Sequence, residues 1–419
     1  MNAILPRPAL DRLRELTGTF RIVVVGGPRQ AGKTTLLRTL HAEGSGSYAT
    51  LDDPTTLNTA RQDPAGYASF GARPRVIDEV QRGGNDLLLA IKECADNDNS
   101  PGQFILSGSS RFLTVPTLSE SLAGRAVFLD LWPLSAAERT GSVADTPAAL
   151  FDPATFASRD LVSTWGRDDY FELIRSGGYP EAIRVPESVR DAWFDSYVST
   201  VTLRDVASFA DIRNASAVPQ LLGLVAARSG GQLVQGDLAK SLNLAQNTVR
   251  DYLNYLEIVF LAARLPAWST NLSSRLIKTP KAYVTDSGLA ASLLGVDESV
   301  AEPGHPQAGQ LVETLVFTEL TRQLTTSTAR ANLNYFRDRE GREVDFVLTK
   351  RDGSIVAIEV KASATAKTDS FKHLAWMRDK YGEKFRAGYV LYLGSEVRPF
   401  GDRLAAVPVS ALWEGRPLP

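Results

Sequence analysis

The chain has 419 residues, 43% of them apolar and 22% charged, with a formal net charge of −2. That length exceeds one hydrophobic core and predicts two or three domains, while the near-zero charge excludes a global pull onto nucleic acid or acidic membranes. The single cysteine, Cys94, excludes an internal disulfide and a cysteine-built zinc site, and the histidines at 41, 305 and 373 lack metal-ligand spacing.

The first element is an apolar run, Ile22 to Val25, which reads as a buried parallel strand. Gly27-Pro28-Arg29-Gln30-Ala31-Gly32-Lys33-Thr34 follows and fits G-x-x-x-x-G-K-[ST], and Thr35 to Leu40 reads as a helix. Strand, glycine-rich loop and helix together predict a phosphate-binding loop. Its N–H groups, at a helix N-terminus, would converge on a β-phosphate. Lys33 would reach the β- and γ-oxygens, and the Thr34 hydroxyl would hold Mg²⁺. The expected ligand is a nucleoside triphosphate bound by residues 27–35, including Thr35. Residues 43–47 read as a loop.

A second short strand, beginning after Pro74, ends in Asp78-Glu79. Asp78 is the expected metal-side carboxylate and Glu79 the expected base or water-positioner. A third strand, Phe104 to Leu106, ends in Ser107-Gly108-Ser109-Ser110, where Ser107 fits a γ-phosphate sensor. Then come an expected helix, Leu118 to Gly124, and a strand, Ala126 to Leu131. Arg125 at their junction is a candidate to reach a triphosphate on a neighbouring subunit, which would make the protein an oligomer. This alternation argues for a parallel sheet covered on both faces, with its ligand beyond the C-terminal strand ends.

These residues resemble AAA-type ATPases. The wording is closest to a bacterial and archaeal family of ATPases with an appended domain of unknown function. The resemblance is carried by residues 27–34, Leu51-Asp52-Asp53-Pro54, Ile77 to Gln81, Leu106 to Ser110, Ser121 to Arg125 and Leu131 to Ser135, and it continues through Gly177-Gly178-Tyr179-Pro180-Glu181. It implies ATP with Mg²⁺ as the bound species and ATP hydrolysis as the activity. Ser107 departs from the threonine expected of many relatives but keeps the hydroxyl.

From about Asp169 to Gly295 the periodicity is mostly helical, with Trp193, Tyr197, Val201 and Leu203 on one expected face. Residues 236–253 have the look of a helix-turn-helix. Leu238, Ala239 and Leu242 bury the first helix, and Val249, Leu253 and Leu256 bury the second. Gln246, Asn247, Thr248 and Arg250 are left outward for phosphates or base edges, although Asp251 opposes tight DNA contact. The alternative is that this unit packs only on protein. Arg264, Arg275, Lys278 and Lys281 are candidates for a local basic strip, and residues 300–309 read as a linker.

Late in the chain, Glu343 to Leu348 and Ile355 to Lys361 read as a hairpin around Asp352-Gly353. Side-chain alternation puts Glu359 and Lys361 on one face, with Asp345 on the partner strand. Glu313, in a helix over 310–320, is a further candidate metal ligand. The segment from Gln310 to Leu393 resembles the restriction-endonuclease-like fold, which implies a metal held by Glu313, Asp345 and Glu359 with Lys361 as a catalytic lysine.

The expected architecture is α/β: an AAA-type P-loop domain over 1–165, a helical, winged-helix-like domain over 166–300, and a restriction-endonuclease-like domain over 301–419. DNA or a protein is the expected partner. No stretch approaches the ~18 apolar residues of a membrane span and the start lacks an apolar leader, so a cytoplasmic location without membrane contact is expected.

Overall fold

The computed structural model describes residues 5–44, 46–109, 122, 124–142, 144–157, 161–206, 214–269 and 279–414. Contacts divide the chain into two compact units, Met1–Pro133 with Ile258–Phe260, and Leu134–Glu257 with Leu261–Pro419. Most of the expected helix over 118–124, together with Ser110, Arg275 and Lys278, lies outside the described residues.

The first unit is built on five parallel strands, β1 (Ile22–Gly26), β2 (Ser47–Thr50), β3 (Arg75–Asp78), β4 (Phe104–Gly108) and β5 (Ala126–Asp130), in the order β2-β3-β4-β1-β5. Alternation explains why β1 has no polar residue. Ile22 and Val24 join Ile77, Phe104 and Leu106 in one core, while Val23 and Val25 join Val76, Ile105 and Leu129 in the other. Helices α1 (Pro8–Thr17) and α2 (Lys33–Glu43) cover the second face; α3 (Pro54–Gln62), α4 (Pro64–Ser69) and α5 (Gly84–Asn97) cover the first. The expected loop at 43–47 is shorter than read, because Glu43 ends α2 and Ser47 begins β2.

The second unit opens with α6 (Ala136–Thr140), α7 (Arg167–Ser176) and α8 (Glu187–Thr200), the last running into a π-helical turn over Val201–Asp205. Tyr197 and Val201 are buried, and Trp193 stacks on Tyr197, but Leu203 is 47% exposed. Two residues beyond Val201 is more than half a helical turn, so the expected shared face does not extend to Leu203. Next come α9 (Ala217–Ala227), α10 (Gln235–Leu242), α11 (Gln246–Ile258) and an antiparallel pair, β6 (Ala262–Leu265) and β7 (Lys281–Val284). Asn243, at φ 52°, ends α10 in the left-handed conformation and allows the short turn into α11.

After α12 (Ser287–Leu294), residues 298–301 form a 3-10 turn with Val300 fully buried. The expected linker is therefore fastened, because the Arg167 guanidinium donates to the carbonyls of Ala301 and Glu302. Helix α13 (Ala308–Leu324) leads into β8 (Asn332–Arg337), β9 (Glu343–Thr349) and β10 (Ile355–Lys361). Then follow α14 (Lys372–Tyr381), β11 (Phe385–Tyr392), β12 (Arg398–Pro399) and β13 (Leu404–Pro408). The sheet order is β12-β13-β11-β10-β9-β8, with β10, β11 and β13 mutually parallel and the other pairings antiparallel. Leu374 and Met377 of α14 close a core over Ile355, Ala357, Phe385 and Val390.

Buried polar groups tie the segments of this unit together. Glu319 of α13 accepts from the N–H groups of Ala136 at 2.7 Å and Ala137 at 3.1 Å, capping α6 from 182 residues away. Arg322, one turn on, pairs with Asp286 at 2.8 Å and donates to Leu134 O. Asp286 also accepts from Gly178 N at 2.8 Å. A Cβ on Gly177 would lie 2.3 Å from Asp286 Oδ1, which explains the paired glycines at that point.

Candidate functional site

The parallel register brings the N-terminal candidates to one edge. Val25 pairs with Ser107 and Ile77 with Leu106, so the loop after β1, the end of β3 and the end of β4 meet at the C-terminal ends of the strands. The loop backbone needs its glycines. Gly27 lies at φ 152°, where a Cβ would stand 2.1 Å from Leu131 O, and Gly32 lies at φ 95° as the N-cap of α2. No side chain caps α2, so its first N–H groups face the loop mouth, an arrangement suited to an anion.

Lys33 is 5% exposed, and its ammonium donates to Gly27 O at 2.9 Å and Pro28 O at 2.8 Å. Asp78, 2% exposed, is a hub: Thr34 Oγ1 donates to it at 2.7 Å, Tyr48 OH at 3.0 Å, and the Ser107 hydroxyl takes its other oxygen. The left-handed Glu79, at φ 56°, turns its carboxylate to the Gln81 amide and, at 3.3 Å, to Ser109 Oγ. Pro28, Arg29, Gln30, Ala31 and Thr35 complete the loop, with Gln30 and Thr35 exposed at its rim. A buried carboxylate beside a threonine hydroxyl, below a glycine-lined cradle, is a donor set that fits a magnesium-bound triphosphate.

Sequence reasoning missed two members of this site. The Arg7 guanidinium donates to Ala31 O at 2.8 Å and Trp132 O at 2.7 Å, bracing the loop against the segment after β5. Tyr48 reaches Asp78 from β2. Neither carries a local signal, since Arg7 and Trp132 are 125 positions apart and Tyr48 and Asp78 are 30 apart. Arg125 is placed away from the loop. It precedes β5 at the N-terminal strand ends, about five residues and ~16 Å of strand from Gly26, and pairs with Asp96.

In the second unit, Glu313, Asp345, Glu359 and Lys361 do converge. Lys361 Nζ lies 3.2 Å from Glu359 Oε2, and Tyr283 OH donates to Glu313 at 2.6 Å. The unexpected member is Lys281, buried at 1% exposure, with its ammonium 2.9 Å from Glu343, 3.1 Å from Glu313 and 3.5 Å from Asp345. Burial alone lowers the pKa of Lys281, but the three carboxylates outweigh it and hold it above its ordinary value. Burial, then Asp345, raises Glu313 to about 7, and the same two causes push Glu359 well up. Among the described residues no group of three or more His, Cys, Asp or Glu side chains is arranged to hold a metal ion. The expected ligand set of Glu313, Asp345 and Glu359 is thus corrected: it exists as a cluster, but an ammonium stands inside it, and a metal does not fit beside that charge.

Of the expected basic strip, only Arg264 and Lys281 fall among the described residues, and neither is a free surface cation. Arg264 is bound to Glu257 and Asn254, and Lys281 is buried. On α11, Val249, Leu253 and Leu256 are buried while Gln246, Asn247 and Arg250 are exposed. No described helix is long and apolar enough to cross a membrane.

Comparison with known proteins matches three segments of the chain. Residues 19–140 match a family described as an AAA domain, 167–300 a domain of unknown function (DUF8612), and 308–412 a domain of unknown function (DUF4143). An uncharacterized protein of Mycobacterium tuberculosis is 29% identical over 409 residues, covering 97% of this chain and 84% of that protein. One from Haemophilus influenzae is 23% identical over 402 residues, covering 89% and 90%. Among solved structures, the Walker-type ATPase of Pyrococcus abyssi covers 69% of this chain and 96% of its own, at 14% identity and a TM-score of 0.41. The chain therefore carries an AAA-type P-loop ATPase-like domain at its N-terminal end and a DUF4143 domain of unassigned role at its C-terminal end.

Proposed function

We propose that the protein binds and hydrolyses ATP and works as a nucleotide-driven switch, with DNA as the partner of its helical segment. The observation that carries this reading is the meeting of Lys33, Thr34, Asp78, Glu79 and Ser107 at one sheet edge.

Thr34 and Asp78 are the residues that would hold Mg²⁺, which when bound neutralises phosphate charge. Lys33 exchanges its two loop carbonyls for β- and γ-phosphate oxygens. Glu79 orients a water and takes its proton as the water oxygen bonds to the γ-phosphorus. The bond from that phosphorus to the bridging oxygen breaks, and its electron pair leaves with ADP; inorganic phosphate is the other product. Ser107 reports the γ-phosphate to Asp78 through their hydrogen bond. Arg125 serves the site of a neighbouring copy in an oligomer, because its own site lies at the other end of the strands.

Support for a DNA partner is the exposed row Gln246, Asn247 and Arg250 on α11, the second of two helices followed by a two-stranded hairpin, a winged-helix-like order. The helix–three-strand–helix–strand order from α13 to β11 supports a restriction-endonuclease-like fold for the C-terminal domain.

The test is a steady-state ATPase assay with and without DNA. Lys33→Ala should lose ATP affinity, and Glu79→Gln should bind ATP with little turnover. DNA should raise the parent rate, and replacing Gln246, Asn247 and Arg250 by alanine should remove that rise. Equal hydrolysis by parent and Glu79→Gln would sink the mechanism; indifference to DNA would sink the partner. The ammonium inside the C-terminal carboxylate cluster favours a second reading, a nucleotide-bound regulator that captures a protein and turns over slowly. A stoichiometric protein partner bound only in the ATP state would select it.

A further inference from the structure

The hairpin after α11 hands a cation to the C-terminal sheet. Strand β7 is pinned on both sides: Leu265 pairs with Lys281 across the hairpin, Gln232 bridges to Lys281, and Gly230 N donates to Ala282 O at 2.9 Å. From this held backbone the Lys281 side chain runs under the Tyr335 ring, 5.6 Å from its centroid, and ends among Glu343, Glu313 and Asp345. Two further oxygens are also engaged. Asp345 Oδ2 accepts from Val360 N at 2.9 Å, and Glu359 Oε2 faces Lys361. A divalent ion brought to Asp345 would meet a backbone N–H on one oxygen and a buried ammonium on the other. In a site sheltered from water that repulsion is strong.

We infer that Lys281 is the resident cation of this cluster: β7 plugs the carboxylate site with an ammonium, and no divalent metal enters while the hairpin is docked. Four carboxyl groups, of Glu313, Glu343, Asp345 and Glu359, face two ammoniums, of Lys281 and Lys361, and burial together with the Asp345 charge holds Glu313 and Glu359 towards their protonated forms. Removing Lys281 takes a positive charge out of the cluster and leaves three acids without their shared partner. A small divalent ion is the species that can replace it. The consequence is a closed, metal-free C-terminal site governed by the strand that follows the two-helix segment. This conclusion stands apart from the ATPase reading, since no residue of the phosphate loop takes part in it.

The experiment is thermal unfolding of the full chain in EDTA and in Mn²⁺ at about 1 mM without nucleotide, with calorimetric titration of Mn²⁺ alongside. The parent should melt at the same temperature in both, with no saturable Mn²⁺ uptake that depends on Asp345. Lys281→Met should melt several degrees lower in EDTA, recover in Mn²⁺, and lose that recovery when Asp345→Asn is added. A parent stabilised by Mn²⁺ in an Asp345-dependent way overturns the inference. So does a folded Lys281→Met whose melting is unchanged from the parent and indifferent to metal. Should Lys281→Met fail to fold in EDTA, folding restored by Mn²⁺ supports the inference, and failure in both conditions leaves the parent titration to decide it.

Discussion

Gly27→Ala probes the phosphate loop at its tightest point. The added Cβ would lie 2.1 Å from Leu131 O, where a comfortable separation is about 3.5 Å, so more than 1 Å must be found. Neither side yields easily. Leu131 is 1% exposed, its N–H donates to Gly26 O at 2.7 Å, and the next carbonyl, of Trp132, is held by Arg7 at 2.7 Å. Overpacking costs about 1–3 kcal/mol. Holding a side-chain-bearing residue at φ 152° adds about 1–3 kcal/mol. The sum, ~2–6 kcal/mol, corresponds to a fall of roughly 6–24 °C in the melting of a unit this size. ATP affinity should fall at least tenfold, since relief of the clash moves the loop N–H groups. Gly44→Ala is the control: nothing lies within 4 Å of its added Cβ and its φ is −142°, so a change within about 0.5 kcal/mol is expected. Differential scanning calorimetry and nucleotide titration of both variants are the assays. A Gly27→Ala protein melting within a degree or so of the parent with unchanged ATP affinity would refute the steric account of the loop.

Further outcomes follow from other parts of the molecule. Arg322→Met strips the buried Asp286 of its cation and should cost about 3–5 kcal/mol, measured by urea unfolding; a loss under about 1 kcal/mol would show that the pair does not hold the second unit together. Glu319→Gln leaves one of the two α6 N–H groups facing an amide NH₂ and should cost about 1–3 kcal/mol. Burial raises the Glu319 pKa above its ordinary 4.5, so in the window above that value the folded chain binds more protons than the unfolded chain. The contribution of Glu319 to stability therefore falls as pH rises through that window, a slope that Glu319→Gln should lack. Arg125→Ala should leave melting unchanged, because its pair with Asp96 is solvent-accessible, yet abolish ATP turnover. Mixing it with Lys33→Ala should restore activity, as one copy keeps a binding loop and the other keeps the arginine; no recovery in the mixture would exclude action across subunits.

The phosphate loop was legible because its requirement is local. Two glycines, a lysine and a threonine at fixed spacing specify backbone angles that neighbouring residues deliver by themselves. Asp78, Glu79 and Ser107 were legible for a related reason, since each follows a short apolar run that could only be a buried strand. In the C-terminal sheet, side-chain alternation was enough to align Glu359 with Lys361 and to bring Asp345 beside them. Leu203 was misplaced because two positions past Val201 falls on the opposite side of a helix, so spacing alone already argued against a shared face. Val300 escaped because a proline- and glycine-rich stretch looks loose until Arg167, 134 positions away, ties its carbonyls down.

Lys281 marks the boundary between the two kinds of information. Its flanking residues described a strand edge and nothing more, and a lysine there reads as a solvated charge. Its partners lie 32, 62 and 64 positions later, on a helix and a strand of another segment. The chain by itself determined where backbone chemistry repeats at short range: the strands, the glycine-bracketed loop and the acids that end or alternate along strands. Only the tertiary structure decided which charges neutralise one another, because Coulomb and hydrogen-bond partners are set by distance in space. That is why a lysine assigned to the surface became the cation of a buried site, and why Arg7 and Tyr48 joined a site they could not be seen to touch.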